Sequence, residues 1–124
     1  MKKLKFICFF LILIIVSEFP GLNRVSADGW YASYGNISWK EEQALLGNFA
    51  IDLNNNLEMI GYIGFYVGKK DTLRKVTARI NRAKSFLIDK FKVEKSRIVI
   101  VNIGKSEKTN IILQPVSKEL SPPF

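Results

Sequence analysis

Residues 1–27 decide how much of this chain is left to fold. Lys2, Lys3 and Lys5 lead into an unbroken apolar run from Phe6 to Val16, and Val25-Ser26-Ala27 supplies the small residues of a cleavage site. The run has 11 residues, against the roughly 20 that a spanning helix needs. Pro20 and Gly21 break any helix continuing from it. The segment therefore reads as a secretory signal peptide, with no permanent membrane span once it is removed. From Asp28 onward 97 residues remain, which is one small domain with one modest core. The only cysteine, Cys8, lies inside the leader, so the exported part must hold together by packing alone. A cysteine-free exported domain suits a bacterial envelope, periplasmic or extracellular, better than a disulfide-stapled scaffold.

The chain has no histidine. Without histidine or cysteine it lacks the usual general base near neutral pH, the thiol nucleophile and the commonest zinc ligands. The expectation is a protein that is not an enzyme, with no cofactor and no metal. Glu41-Glu42 is a carboxylate pair, but it falls at a helix start, where acidic residues satisfy free backbone donors and the macrodipole. Charge is concentrated: the chain as a whole is +8, and the stretch from Lys69 to Arg97, with 11 basic and 3 acidic residues, carries +8 by itself. That surface suits an anionic partner or is an ordinary solvated helix face. Nucleic acid is not expected, because the chain is exported and has no base-reading motif.

Hydrophobic periodicity predicts the order strand, helix, strand, helix, strand, strand: an α+β two-layer sandwich with helices packed on a small mixed sheet. Asp28 to Ile37 reads as an extended arm leading to a short strand. Ser38-Trp39-Lys40-Glu41 has capping-box spacing, and Ala44 or Leu45, Phe49 and Leu53 give the following helix an apolar face that ends at Asn54-Asn55-Asn56. Met59 to Val67 is apolar or glycine on both parities, as in a strand covered on two sides. After the turn Gly68-Lys69-Lys70-Asp71, Leu73, Val76, Ile80, Ala83, Leu87 and Phe91 mark a second helix, with Lys75, Arg79 and Arg82 on a neighbouring face. Arg97 to Ile103 and Thr109 to Gln114 are two further strands, able to form a hairpin. The organisation expected is a signal peptide at 1–27, a single domain at 28–116 and a flexible tail at 117–124.

One run resembles a known family. Thr77-Ala78-Arg79-Ile80-Asn81-Arg82-Ala83-Lys84-Ser85-Phe86-Leu87, followed by Ser96-Arg97-Ile98-Val99, is similar to the helix motif and strand entry of OmpA-like C-terminal domains, which associate with peptidoglycan. The resemblance implies an OmpA-like fold. It also implies that Arg82 pairs with a carboxylate of the peptidoglycan stem peptide, a contact that suits a planar guanidinium. Where the family has an aspartate for the ligand's ammonium, this chain has glycine, with Asp71 three residues later. Candidate ligand-binding residues are Arg82, Arg79, Lys75, Lys69, Lys70 and Asp71.

Two functions are consistent with these residues. One is an exported, non-enzymatic envelope protein that contacts peptidoglycan or another anionic envelope component through its basic helix. The other is a degenerate OmpA-like domain that meets a partner protein or serves structure without binding peptidoglycan. Arg82 divides them, because it can equally pair with an acidic residue of its own domain.

Overall fold

The computed structural model describes residues 32–124; the leader, its cleavage site and the arm residues Trp30 and Tyr31 lie outside that range. In chain order the elements are β1 (Ala32–Tyr34), α1 (Trp39–Asn55), β2 (Met59–Gly68), α2 (Leu73–Phe91), a 3-10 turn (Lys95–Arg97), β3 (Ile98–Ser106) and β4 (Asn110–Ser117). The strands form one sheet in the order β1-β4-β2-β3. β2 runs parallel to β3, while β4 is antiparallel to both β2 and β1. The two helices pack on this mixed sheet as a two-layer α+β sandwich, the architecture that the periodicity implies. No helix among the described residues is long and apolar enough to cross a membrane.

Each helix is started by a hydroxyl. Ser38 Oγ accepts from the Glu41 backbone N–H at 3.1 Å, the N-cap half of the expected capping box, while the Glu41 carboxylate reaches back to accept from the Ser38 hydroxyl at 3.0 Å. Thr72 Oγ1 accepts from the Lys75 N–H at 3.2 Å and does the same for α2. Val76, Ile80, Ala83 and Leu87 form the buried stripe of α2, whereas Leu73, expected on that stripe, is exposed. In α1 the buried positions are Glu42, Leu46, Gly47, Phe49, Ala50 and Leu53, and Ala44 faces solvent. Leu45, the alternative to Ala44, packs against the core with Phe49 and Leu53 as expected, and the stripe also takes in Glu42, a charged residue that periodicity does not count as apolar.

The core lies between the helices and the facing side of the sheet, where Phe49, Leu46, Leu53, Ile63, Ile80, Leu87, Ile111 and Leu113 are the largest fully buried apolar side chains. Full burial of each such residue is worth about 1.5–3 kcal/mol. Gly61 lets α1 approach: a Cβ there would lie 2.7 Å from Leu53 Cδ1 and 2.9 Å from Phe49 Cζ.

β3 and β4 do not form the expected hairpin. They are adjacent in sequence, but β2 lies between them in the sheet, because it takes β3 on one side in parallel and β4 on the other in antiparallel register. Residues 107–109 must therefore cross two strand spacings, about 10 Å, over the carboxyl end of β2. Three extended residues just reach that far. They pass so close to Gly68 that a Cβ there would collide with the Thr109 backbone nitrogen and sit 2.8 Å from the Lys108 carbonyl carbon.

Arg97 opens no strand. It lies in the 3-10 turn, buried, and its guanidinium donates to the backbone carbonyls of Leu53 (2.8 Å), Asn56 (2.9 Å) and Met59 (2.9 and 3.1 Å). These bonds tie the carboxyl end of α1 to the start of β2 through one guanidinium, and a cation there complements the helix dipole.

Candidate functional site

The six residues picked out by sequence fall into two groups. Arg79 and Arg82 lie where α2 passes α1 and the β1–α1 loop. Lys69, Lys70 and Asp71 lie in the turn between β2 and α2. Eleven residues of mostly helical rise separate Asp71 from Arg82, about 16 Å along the axis, so the two cannot hold opposite ends of one small ligand. Lys75 is exposed between the groups, with its backbone N–H engaged on the helix cap.

At the helix crossing the arginines are occupied from within. The Glu42 carboxylate has no solvent exposure. It accepts the Tyr34 hydroxyl proton at 2.6 Å on one oxygen and Arg82 Nη2 at 3.2 Å on the other. The Arg82 guanidinium also stacks over the Trp39 ring, 4.1 Å from its centroid, a cation–π contact that fixes its plane. Arg79 donates to Asn36 Oδ1 at 2.7 Å and to the Gly35 carbonyl at 3.0 Å, which pins the loop after β1. Burial drives the Tyr34 hydroxyl far above its ordinary pKa of 10.0; the neighbouring Glu42 charge and hydrogen bond add to this, against the opposing pull of Arg79 and Arg82. Tyr34 thus stays a neutral donor to a buried carboxylate. Glu42, which the sequence assigns to helix capping, instead ties β1, α1 and α2 together, and only Glu41 caps.

The second group borders an open cavity of about 670 Å³ at the carboxyl ends of the parallel strands β2 and β3, the end of a parallel pair at which α/β proteins place ligands. Its apolar base includes Val67 and Leu73, and its polar lining comes from Lys69, Asp71, Asn102, Lys105 and Ser106. Lys69 Nζ bonds Glu107 Oε1 at 2.9 Å on the surface. Asp71 takes the Thr109 hydroxyl proton in a short contact, and Thr109 Oγ1 accepts the Gly68 N–H at 2.9 Å. This chain of bonds holds the β2–α2 turn to the crossing loop and sets the rim of the cavity. Lys70 is exposed in the same turn, outside the lining.

Lys105, Asn102 and Ser106 are absent from the sequence-derived set. They reach the cavity because β3 continues to Ser106, past Gly104, where the sequence suggests a turn. The register with β2 slips by one residue between Phe65 and Tyr66, so that Ile103 is the extra residue and Gly104, at φ 143°, absorbs the distortion. A glycine followed by three polar residues at the end of an apolar strand is the available signal, and it fits a turn equally well. Among the described residues no group of acidic, histidine or cysteine side chains could hold a metal ion.

No family model matches the chain, and no curated protein matches it. Solved structures that it is similar to include thiamine monophosphate kinase from Aquifex aeolicus, at 15% identity and a TM-score of 0.41 over 93% of this chain and 42% of that one. Another is the structure titled AaThiL complexed with AMPPCP and TMP, at 17% identity and a TM-score of 0.42 over 88% of this chain and 41% of that one. The chain spans less than half the length of these proteins, and at such scores the likeness assigns them neither as relatives nor as a guide to activity. The findings do correct the sequence reading. No family model matches the chain, OmpA-like domains included. The OmpA-like assignment falls, along with the envelope and peptidoglycan roles drawn from it and the degenerate OmpA-like alternative. The expectation that the chain is not an enzyme is withdrawn too: the missing histidine and cysteine remove particular chemistries but not catalysis as a class.

Proposed function

We propose that this domain binds a small anionic ligand in the cavity at the carboxyl ends of β2 and β3. The observation that carries the reading is that two lysines, Lys69 and Lys105, line one cavity together with the neutral polar residues Asn102 and Ser106 and the apolar Val67 and Leu73. A cavity of about 670 Å³ falls within the few hundred to about 1,000 Å³ of small-molecule sites, which combine apolar walls with a few placed polar groups. Lys105 is the better anchor. Lys69 already shares its charge with Glu107, whereas Lys105 has no salt-bridge partner among the described residues and can take an anion. Asp71 is held by Thr109 and serves the shape of the rim.

Titration of the isotope-labelled protein with inorganic phosphate and with small dicarboxylates, followed by backbone amide shifts, tests this reading. Shifts should converge on residues 67–73 and 102–106. Lys105→Ala should weaken the effect by about tenfold or more, the value of one charge-assisted hydrogen bond. Arg82→Ala should leave it unchanged, because that guanidinium serves the helix crossing. Saturable shifts elsewhere, or none, would remove the reading.

A further inference from the structure

The cavity at the ends of β2 and β3 is built unevenly, and the unevenness points to the kind of anion it takes. On the helix side of β3 the residues run Ile98, Ile100, Asn102: the first is buried, the second partly buried against the core, and the third exposed. Helical cover therefore ends before the strand does. Asn102 pairs with Phe65, so an unbroken register would set Gly104 opposite Val67 and turn Lys105 to the far side of the sheet. The bulge prevents this. Ile103 goes to the far side, where its Cδ1 is 2.8 Å from the point that a Cβ on Gly64 would occupy, and Lys105 pairs with Val67 instead, which brings it to the cavity side with Asn102. Bulges re-aim side chains in this way beside functional sites.

The charged residues of the lining are Lys69, Lys105 and Asp71, a balance of one positive charge. Lys69 is already paired with Glu107, whereas Lys105 has no salt bridge among the described residues. A head group with a single negative charge matches that balance. A second negative charge would meet the carboxylates of Asp71 and Glu107 with no further uncommitted ammonium in the lining, and like charges set together are costly. The opposite wall is apolar. Leu73 extends the stripe of Val76, Ile80, Ala83 and Leu87 to the first turn of α2, yet it is 53% exposed and lines the cavity. A half-exposed leucine in a cavity wall is covered favourably by an apolar group and gains nothing from a bare, hydrated ion.

We infer, resting on the proposed reading of this cavity as an anion site, that its ligand is an amphiphilic monocarboxylate. The carboxylate is held by Lys105, with the Asn102 amide and the Ser106 hydroxyl as further donors, and the apolar body of the ligand covers Leu73. Charge recognition and apolar recognition then come from different elements, β3 and α2. Each can be removed while the other stays.

The test is a set of titrations of the full chain with acetate, hexanoate, hexanamide, succinate and inorganic phosphate, read from the backbone amide shifts of residues 67–73 and 102–106. Hexanoate should bind about tenfold more tightly than acetate, the value of four methylenes about half buried. Hexanamide, which keeps the body and loses the charge, should bind about tenfold more weakly than hexanoate, and succinate should gain little over acetate. Lys105→Ala should weaken acetate and hexanoate alike. Leu73→Asn should bring hexanoate down to the level of acetate and leave acetate unchanged; Leu73 is outside the core cluster, and circular dichroism checks that the fold is kept. If hexanoate binds no better than acetate, or succinate or phosphate binds more tightly than hexanoate, the monocarboxylate is overturned while the anion site stands. A hexanoate advantage that persists in Leu73→Asn would overturn the placement of the apolar body. Shifts from none of the probes would remove the anion site itself, and this inference with it.

Discussion

Glu42 is a carboxylate with no access to water, and it has two hydrogen-bond partners of different kinds. Arg82 neutralises it from a half-exposed position, with 48% of its side chain in solvent, and Tyr34 satisfies it from within the core. Removing one partner of such a cluster costs more than the pair contributes in net stability, because the carboxylate stays buried and short of donors. Tyr34→Phe keeps the ring and deletes only the hydroxyl, so near neutral pH it should lower the unfolding free energy by about 2 kcal/mol. The same substitution tests the raised tyrosine pKa. Below pH 10 the hydroxyl is protonated in folded and unfolded chains alike, and the contribution is full. Above pH 10 the unfolded chain releases its proton while the folded chain keeps it. Stability then falls as pH rises towards the folded-state value, by about 1.4 kcal/mol per pH unit for one proton. Urea titrations from pH 8 to pH 11 should therefore show the gap between wild type and Tyr34→Phe closing above pH 10. A constant gap would mean that Tyr34 ionises as it does in the unfolded chain. Every other group is common to the two proteins and cancels in the difference.

Among the elements, the crossing of residues 107–109 over β2 governs the topology, and Gly68 permits it. A methyl group at position 68 meets three backbone atoms at 2.9 Å or closer, and backbone cannot rotate away as a long side chain can. Gly68→Ala should destabilise the domain by about 3 kcal/mol or more, whereas Gly104→Ala meets no atom within 4 Å and costs only what its positive φ imposes, about 1–2 kcal/mol. Thermal or urea unfolding of the two variants separates a steric glycine from a conformational one. These positions also show where sequence reasoning succeeds and where it stops. Capping at Ser38, the stripe of α2, the strand at Met59 and the element order are legible, because caps and periodicity are local. The hairpin expectation fails because sheet order depends on which strand can take two neighbours, and the sequence shows that only as the double-sided apolar pattern of β2. Arg97 resembles a strand opening for the same reason: its three acceptor carbonyls come from residues 38–44 positions earlier in the chain. Of the candidate site, Lys69 and Asp71 are legible because they sit in a turn beside a strong helix start, while Lys105 is hidden behind a bulge that only register reveals.

For the whole molecule, the sheet is unevenly supported, and this predicts how it opens. β2 is paired along nearly its full length on both sides and receives packing from both helices. β1 has three residues and pairs with β4 alone. An edge strand that short supplies too few hydrogen bonds to hold itself; its anchorage comes from side chains, Tyr34 on Glu42 and the following loop on Arg79. Amide exchange should accordingly be slowest in residues 61–66 and approach the global unfolding limit there, with β1 opening at lower free energy. Glu42→Ala removes the acceptor for both Tyr34 and Arg82, so it should speed exchange at residues 32–34 and 111–113 well beyond its effect on β2 at equal denaturant. If residues 32–34 and 61–66 instead accelerate by the same factor, the carboxylate supports the core as a whole and β1 is no separate unit. The cavity lies by β3, at the opposite edge of the sheet from β1, and its lining shares none of these contacts, so binding there should survive Glu42→Ala under conditions where the domain remains folded, and a loss of binding would show that the two sites are coupled.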